Sequence, residues 1–182
     1  MSAAAEDPAG DFGWFEAWVW QRLSLCLAFA RGLTSERMLE GFGLHPGRFV
    51  EETLREADAS AQVGPPLVSA DMGRPRVRVG EHDGWGYAVE HFTGRGSDEQ
   101  ILLRLSAKGG EAFALGYTLK ISTFWYAAAG ELVCGFDLTV PHVRWGPDPH
   151  RFDAAMERAG FLRPGGTEPA SMGARFVQLA FG

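Results

Sequence analysis

The chain has 182 residues, of which 46% are apolar and 22% charged, a composition that argues against disorder and for a folded domain with a real core. A formal net charge of −6 and a sequence pI near 5.4 give no long-range field for nucleic acid or anionic membrane, so polyanion partners are disfavoured. The two cysteines, Cys26 and Cys134, stand far apart in apolar surroundings, which points away from a disulfide framework or metal knuckle and towards a reducing cytoplasm.

Glu6, Asp7 and Asp11 lie where a secretory signal needs positive charge, so no signal peptide is expected. Residues 1–10 read as a flexible terminus and 11–182 as a single α+β domain, with a helical part over 11–60 and a sheet part over 74–182. Phe15, Val19, Leu23, Cys26 and Ala30 recur at helical spacing, and Trp14, Trp18 and Leu25 widen that face into a buried helix. With Glu16, Gln21 and Arg22 inside it, the run falls short of the ~20 mostly apolar residues of a membrane span. Gly32 ends that helix, and Thr34 caps a short one carrying Met38, Leu39 and Phe42, with Leu33 and Met38 at the positions of a hydrophobic staple. A third helix is expected from Pro46, with Phe49, Val50 and Leu54 inward. Residues 59–75, with Gly64-Pro65-Pro66, break both periodicities and read as a linker or a surface excursion.

In the sheet part, Arg76-Val77-Arg78-Val79 and residues 85–90 alternate at period two around His82-Asp83-Gly84, which predicts a hairpin. Ser97 and Gln100 match a capping box ahead of Ile101, Leu102 and Leu105, so a helix is expected from Ser97 to a stop at Gly109. Phe113, Leu115, Tyr117, Leu119 and Ile121 then alternate with Ala114, Gly116, Thr118 and Lys120, a strand with one face on a core. Leu132, Cys134, Phe136 and Leu138 repeat the pattern after a turn near Gly130-Glu131. Asp148-Pro149 reads as a cap and first position of a helix ending at Gly160. The segment 171–181 fits both periods, with a lean to helix. The order strand, strand, helix, strand, strand, helix hints at a duplicated ββα unit.

Gly84-Trp85-Gly86-Tyr87-Ala88-Val89-Glu90, then Leu103-Arg104-Leu105-Ser106-Ala107-Lys108-Gly109-Gly110, then Ala129-Gly130-Glu131-Leu132-Val133-Cys134-Gly135-Phe136-Asp137 together resemble the actinobacterial uncharacterised family DUF6461. Residues 30–37 are similar to its N-terminal helical segment, and the resemblance spans roughly residues 24–160. The chain departs from the family at Tyr117-Thr118-Leu119-Lys120, where a strand centre with asparagine is expected. The family brings no activity, cofactor or catalytic residue, so the resemblance implies a domain and no chemistry.

Candidate chemistry is sparse. His45, His82, His91, His142 and His150 form no close ligand pair, so no metal is expected, and no cofactor-binding signature is present. Cys134 has no basic neighbour in sequence to favour a thiolate. The serines lack a nucleophile elbow, and Gly94-Arg95-Gly96-Ser97 reads as a loop before a capped helix rather than an anion cradle. Arg74, Arg76 and Arg78 read as the charged guard of an edge strand. Glu90 and Asp137 would need to face each other to act as an acid/base pair. Aromatic residues at strand ends offer contact surfaces, so the binding candidates are Trp125, Tyr126, Trp145, Glu90 and His91, with no catalytic residue assigned. The expected architecture is an antiparallel sheet of about four to five strands covered on one face by helices, including the N-terminal helical layer. The expected function is a non-catalytic cytoplasmic protein-binding module of the immunity, adaptor or regulatory type. The alternative is a small-molecule-binding protein or small enzyme with a pocket between helical layer and sheet, using Glu90, His91, Asp137 or His142.

Overall fold

The structure is a computed structural model and describes residues 24–45, 77–91, 94–107, 110–118, 122–161 and 169–181. The flexible terminus 1–10, the helix from Pro46 and the linker 59–75 lie outside these residues. The elements are β1 (Ser24–Arg31), α1 (Ser35–Gly41), β2 (Val77–His82), β3 (Trp85–His91), α2 (Glu99–Ser106), β4 (Glu111–Thr118), β5 (Ser122–Ala128), β6 (Glu131–Asp137), β7 (Arg144–Trp145), α3 (Asp153–Ala159) and α4 (Pro169–Phe181). The strands form one sheet in the order β2-β3-β1-β4-β5-β6-β7, antiparallel at every pairing. Among the described residues this is α+β architecture with seven strands rather than four to five.

The largest correction is β1. Residues 24–30, expected as the end of a helix, form a central strand between β3 and β4. Leu25, Cys26, Leu27 and Ala28 are all buried, so the strand shows no polar/apolar alternation, and a short apolar run of this kind fits either period. Two strands, β2 and β3, directly precede α2 but four, β4 to β7, precede α3, so the described elements do not repeat a ββα unit.

The sheet is covered on both faces, which corrects the one-face expectation. One face carries Ala28, Ala30, Ala88, Ala112, Ala114 and Ala127, and onto it pack Met38 and Phe42 from α1 with Ile101, Leu102 and Leu105 of α2. The other face carries Leu27, Phe113, Leu115, Phe124, Tyr126 and Phe136 under Met156 of α3 and Phe176 of α4. The alternation in β4 is therefore large against small rather than apolar against polar. Small side chains let α1 and α2 lie close to the sheet, and the aromatics fill the wider gap on the far side.

The local signals hold in part. Thr34 Oγ1 accepts from Arg37 N at 3.3 Å and caps α1. The β2–β3 hairpin forms with both Asp83 (φ 46°) and Gly84 (φ 78°) left-handed, the turn whose twist suits two strands. The β5–β6 hairpin repeats it with Ala129 (φ 52°) and Gly130 (φ 82°). Ser97 does not cap α2. It ends a turn of 3-10 helix, and Asp98 Oδ1 takes Gln100 N at 2.8 Å instead. β4 is described from Glu111 to Thr118, with Leu119 and Ile121 outside the described residues, and β5, absent from the sequence reading, pairs with it through Leu115↔Phe124 and Ala114↔Trp125. Asp148 does not cap α3. It opens a turn through Arg151 N to its carbonyl at 3.3 Å, and the helix begins at Asp153. Segment 171–181 belongs to helix α4.

Ala114 is fully buried on the small-residue face, so Ala114→Leu forces extra carbons between β4 and α2. The expected cost is about 1–3 kcal/mol, read as a lower urea midpoint at an unchanged slope.

Candidate binding surface

Two tryptophans meet on the small-residue face near β7. Trp125 of β5 pairs with Gly135 of β6, and Gly135 pairs on its other side with Trp145. The absent side chain at Gly135 is what admits the indole: a Cβ there would lie 2.2 Å from Trp145 Nε1. The rings come together at 4.9 Å, tilted by 54°. Trp125 Nε1 donates to Thr123 Oγ1 at 3.3 Å. Trp145 Nε1 is buried without an acceptor among the described residues, an arrangement that costs stability. Beside this pair, Val143 N donates to Val140 O at 2.8 Å, and Val143 O accepts from Asp137 N at 3.1 Å. Val140 is 36% exposed and Val143 47% exposed; these are the exposed large apolar side chains among the described residues.

The remaining candidates do not converge on this pair. Tyr126 alternates to the aromatic face, where its hydroxyl donates to Glu111 Oε2 at 2.9 Å and Arg151 lies 5.5 Å over its ring. Burial, then the hydrogen bond to Glu111, raises the Tyr126 pKa. Glu90 is 1% exposed and accepts from Gly96 N at 2.6 Å. Ser97 N donates to Gly94 O, Asp98 N to Arg95 O, and Arg95 Nη2 to Phe42 O. The turn that might have cradled a foreign anion thus holds the chain's own carboxylate. A Cβ at Gly96 would come within 3.0 Å of Cys26 Sγ and 3.3 Å of Glu90 Oε2, so glycine lets the turn settle onto the sheet. His91 pairs with Leu25, the register position next to Cys26↔Glu90.

Glu90 and Asp137 are not a catalytic pair. They occupy one transverse row, Glu90–Cys26–Gly116–Thr123–Asp137, separated by four inter-strand steps, or roughly 19 Å. Asp137 Oδ1 is occupied by Thr139 N at 2.7 Å, Thr139 Oγ1 at 2.6 Å and Val140 N at 3.1 Å. His142 is exposed in the same turn.

Sequence reading missed a cluster that ties β7 to α3. Arg144, its side chain only 11% exposed, pairs with Asp153 and donates to Pro141 O at 2.9 Å and Pro149 O at 3.3 Å. His150 Nδ1 lies 3.1 Å from Asp153 Oδ2. Burial acts to raise the Asp153 pKa, but the hydrogen bonds from Arg144 and His150 outweigh it and hold the carboxyl below its ordinary range. The His150-x-x-Asp153 spacing was a visible signal; the arrival of Arg144 was not. Among the described residues, no group of three or more His, Cys, Asp or Glu could hold a metal.

Arg144 and Arg151 do reach Cys134 electrostatically, which sequence did not show, yet burial dominates and Asp148 adds to it, pushing the thiol up to about 12. Burial likewise pushes Cys26 to about 12, against the lowering effect of its hydrogen bond with Ser97. Both are buried and free, so neither is poised as a nucleophile.

Such a framework defines an α+β protein with an antiparallel sheet between two helical layers and an aromatic surface near its short edge strand. The chain belongs to DUF6461, a family of unknown function, whose model matches residues 1–175. Searches of curated proteins and of solved structures each give no match.

Two outcomes are expected. Glu90→Ala leaves Gly96 N–H without its acceptor and costs about 2–3 kcal/mol, whereas Glu90→Gln, which retains an acceptor, loses less in the same denaturant titration. The raised thiol pKa values make the two cysteines unreactive towards a thiol reagent at pH 8 until the chain unfolds. Because only the unfolded chain gains by ionising them above pH 9, their contribution leaves stability level below pH 9 and lowers it from there towards pH 12.

Proposed function

We propose that this protein is a non-catalytic protein-binding module of the immunity, adaptor or regulatory type, acting in the cytoplasm of an actinobacterial host. The observation that carries this reading is a contrast between seam and surface. Over the described residues both helix-to-sheet seams are filled by side chains such as Leu102, Phe42, Phe124 and Phe176, each fully buried. Val140 and Val143 nevertheless stand exposed in the segment that leads from β6 into β7, where Trp145 meets Trp125. Single exposed valines are ordinary, but two in the short segment that leads into a tryptophan pair have the composition of an interface centre. The acidic balance and the two free thiols support a cytoplasmic setting. Among the described residues no helix is long and apolar enough to cross a membrane.

The alternative, a small-molecule binder or enzyme, draws less support. Glu90 is committed to Gly96, Asp137 to its own turn, and His142 lies outside the seam.

The test is capture from the native host with tagged wild-type protein and V143E, followed by mass spectrometry of proteins and small molecules. Wild type is expected to retain a stoichiometric protein partner and V143E to lose at least about tenfold of it, with an unchanged melting temperature. Equal capture by both forms, or retention of a metabolite without any partner protein, would overturn the reading.

A further inference from the structure

On the aromatic face, the last residue of α4 fills a seat built by other elements. Phe181 lies flat on Phe113, with centroids 4.3 Å apart and planes at 14°, and meets Trp85 edge-on at 5.8 Å. Tyr126 at 5.7 Å and Phe152 at 5.3 Å flank it. Trp85, Phe113 and Tyr126 belong to β3, β4 and β5, whose places are fixed by the sheet ladder. Phe152 is held edge-on against Phe124 at 5.6 Å and Tyr126 at 5.1 Å. The seat's walls are therefore supported without Phe181.

α4 has a separate anchor. Phe176 is fully buried and touches Phe124, Phe136, Phe152 and Phe161. It stands more than one helical turn before Phe181, so the final turn can unwind while Phe176 keeps the helix docked. Phe181, Leu179 and Ala180 are only partly buried. Carbonyls of a last helical turn lack donors within the helix, and here Leu179 O is met by Arg158 Nη2 at 3.3 Å in an exposed hydrogen bond.

The rim of the seat is polar. The Arg31 guanidinium sits 4.4 Å over the Trp85 ring and pairs with Glu111 at 2.5 Å, the same carboxylate that receives the Tyr126 hydroxyl. An apolar floor with a charged, wet rim has the anatomy of a side-chain docking site.

We propose that the final turn of α4 is a releasable plug, and that the seat of Trp85, Phe113, Tyr126 and Phe152 docks an aromatic side chain of another polypeptide, with Phe181 as its competing occupant in cis. The ring now in the seat shows what it accepts: a planar aromatic delivered on a peptide backbone. This site is on the opposite face of the sheet from Trp125 and Trp145 and does not depend on the reading of that surface.

The test joins two readouts on the full chain. Native-state hydrogen exchange is expected to be at least ~100-fold faster at residues 178–181 than at β4, because the turn opens without global unfolding. Titration with N-acetylphenylalaninamide is expected to shift the Trp85 indole N–H resonance of F181A at concentrations about tenfold lower than for wild type, whose seat is self-occupied, while N-acetylalaninamide shifts neither. Should F181A fail to fold, F181V, which removes less volume, takes its place with the same readouts. Protection of 178–181 equal to β4, or no tighter binding by the variant than by wild type, would show Phe181 to be ordinary core and overturn the proposal.

Discussion

Burial of the sheet on both faces is the constraint from which the other features follow. Main-chain groups of β1 and β4 have helices above and below, so the ladder must satisfy them, and each side chain must be apolar or internally paired. The two faces then divide the available volume unequally. Alanines at 28, 30, 88, 112, 114 and 127 let two short helices lie close, and α1 and α2, at seven and eight residues, are too short to be stable without that packing. On the other side, a network of phenylalanines spans from Phe29 to Phe161 and makes the thicker layer.

The same constraint decides the fate of the polar residues that enter the sheet. Glu90 is buried on the small-residue face, where a polar group without a partner would be costly, and the hydrogen bond from Gly96 N–H offsets part of that cost. In doing so it pins the turn ahead of α2, so the carboxylate that looked chemical in the sequence orients a helix. Cys26 and Cys134 meet the opposite solution: desolvation keeps them neutral, and neutrality suits a buried position.

Much of the fold was legible, and the failures have definite physical sources. Turn chemistry at Asp83-Gly84 and the cap at Thr34 are local, so they were read correctly. β1 was misread because a strand buried on both sides loses the alternation that marks strands. β5 was overlooked because Phe124-Trp125-Tyr126 is a continuous aromatic run, although its residues go alternately to Trp145 and to the aromatic core. That alternation also separates Trp125 from Tyr126, a pair that looks like a cluster only along the chain. The meeting of Trp125 with Trp145 across Gly135, and of Arg144 with Asp153, depends on which strands are neighbours, which no local pattern reveals.

The geometry at the β7 edge also constrains how that surface can recognise anything. A long free strand would invite strand addition, but β7 has two residues. Val143 N–H and C=O are already engaged with Val140 and Asp137, and the side chain of Arg144 is drawn to Pro141, Pro149 and Asp153. Little main chain is left to offer at this edge. The exposed apolar side chains there are Val140 and Val143, so on the proposed reading a shape-complementary apolar contact is favoured over an extension of the sheet.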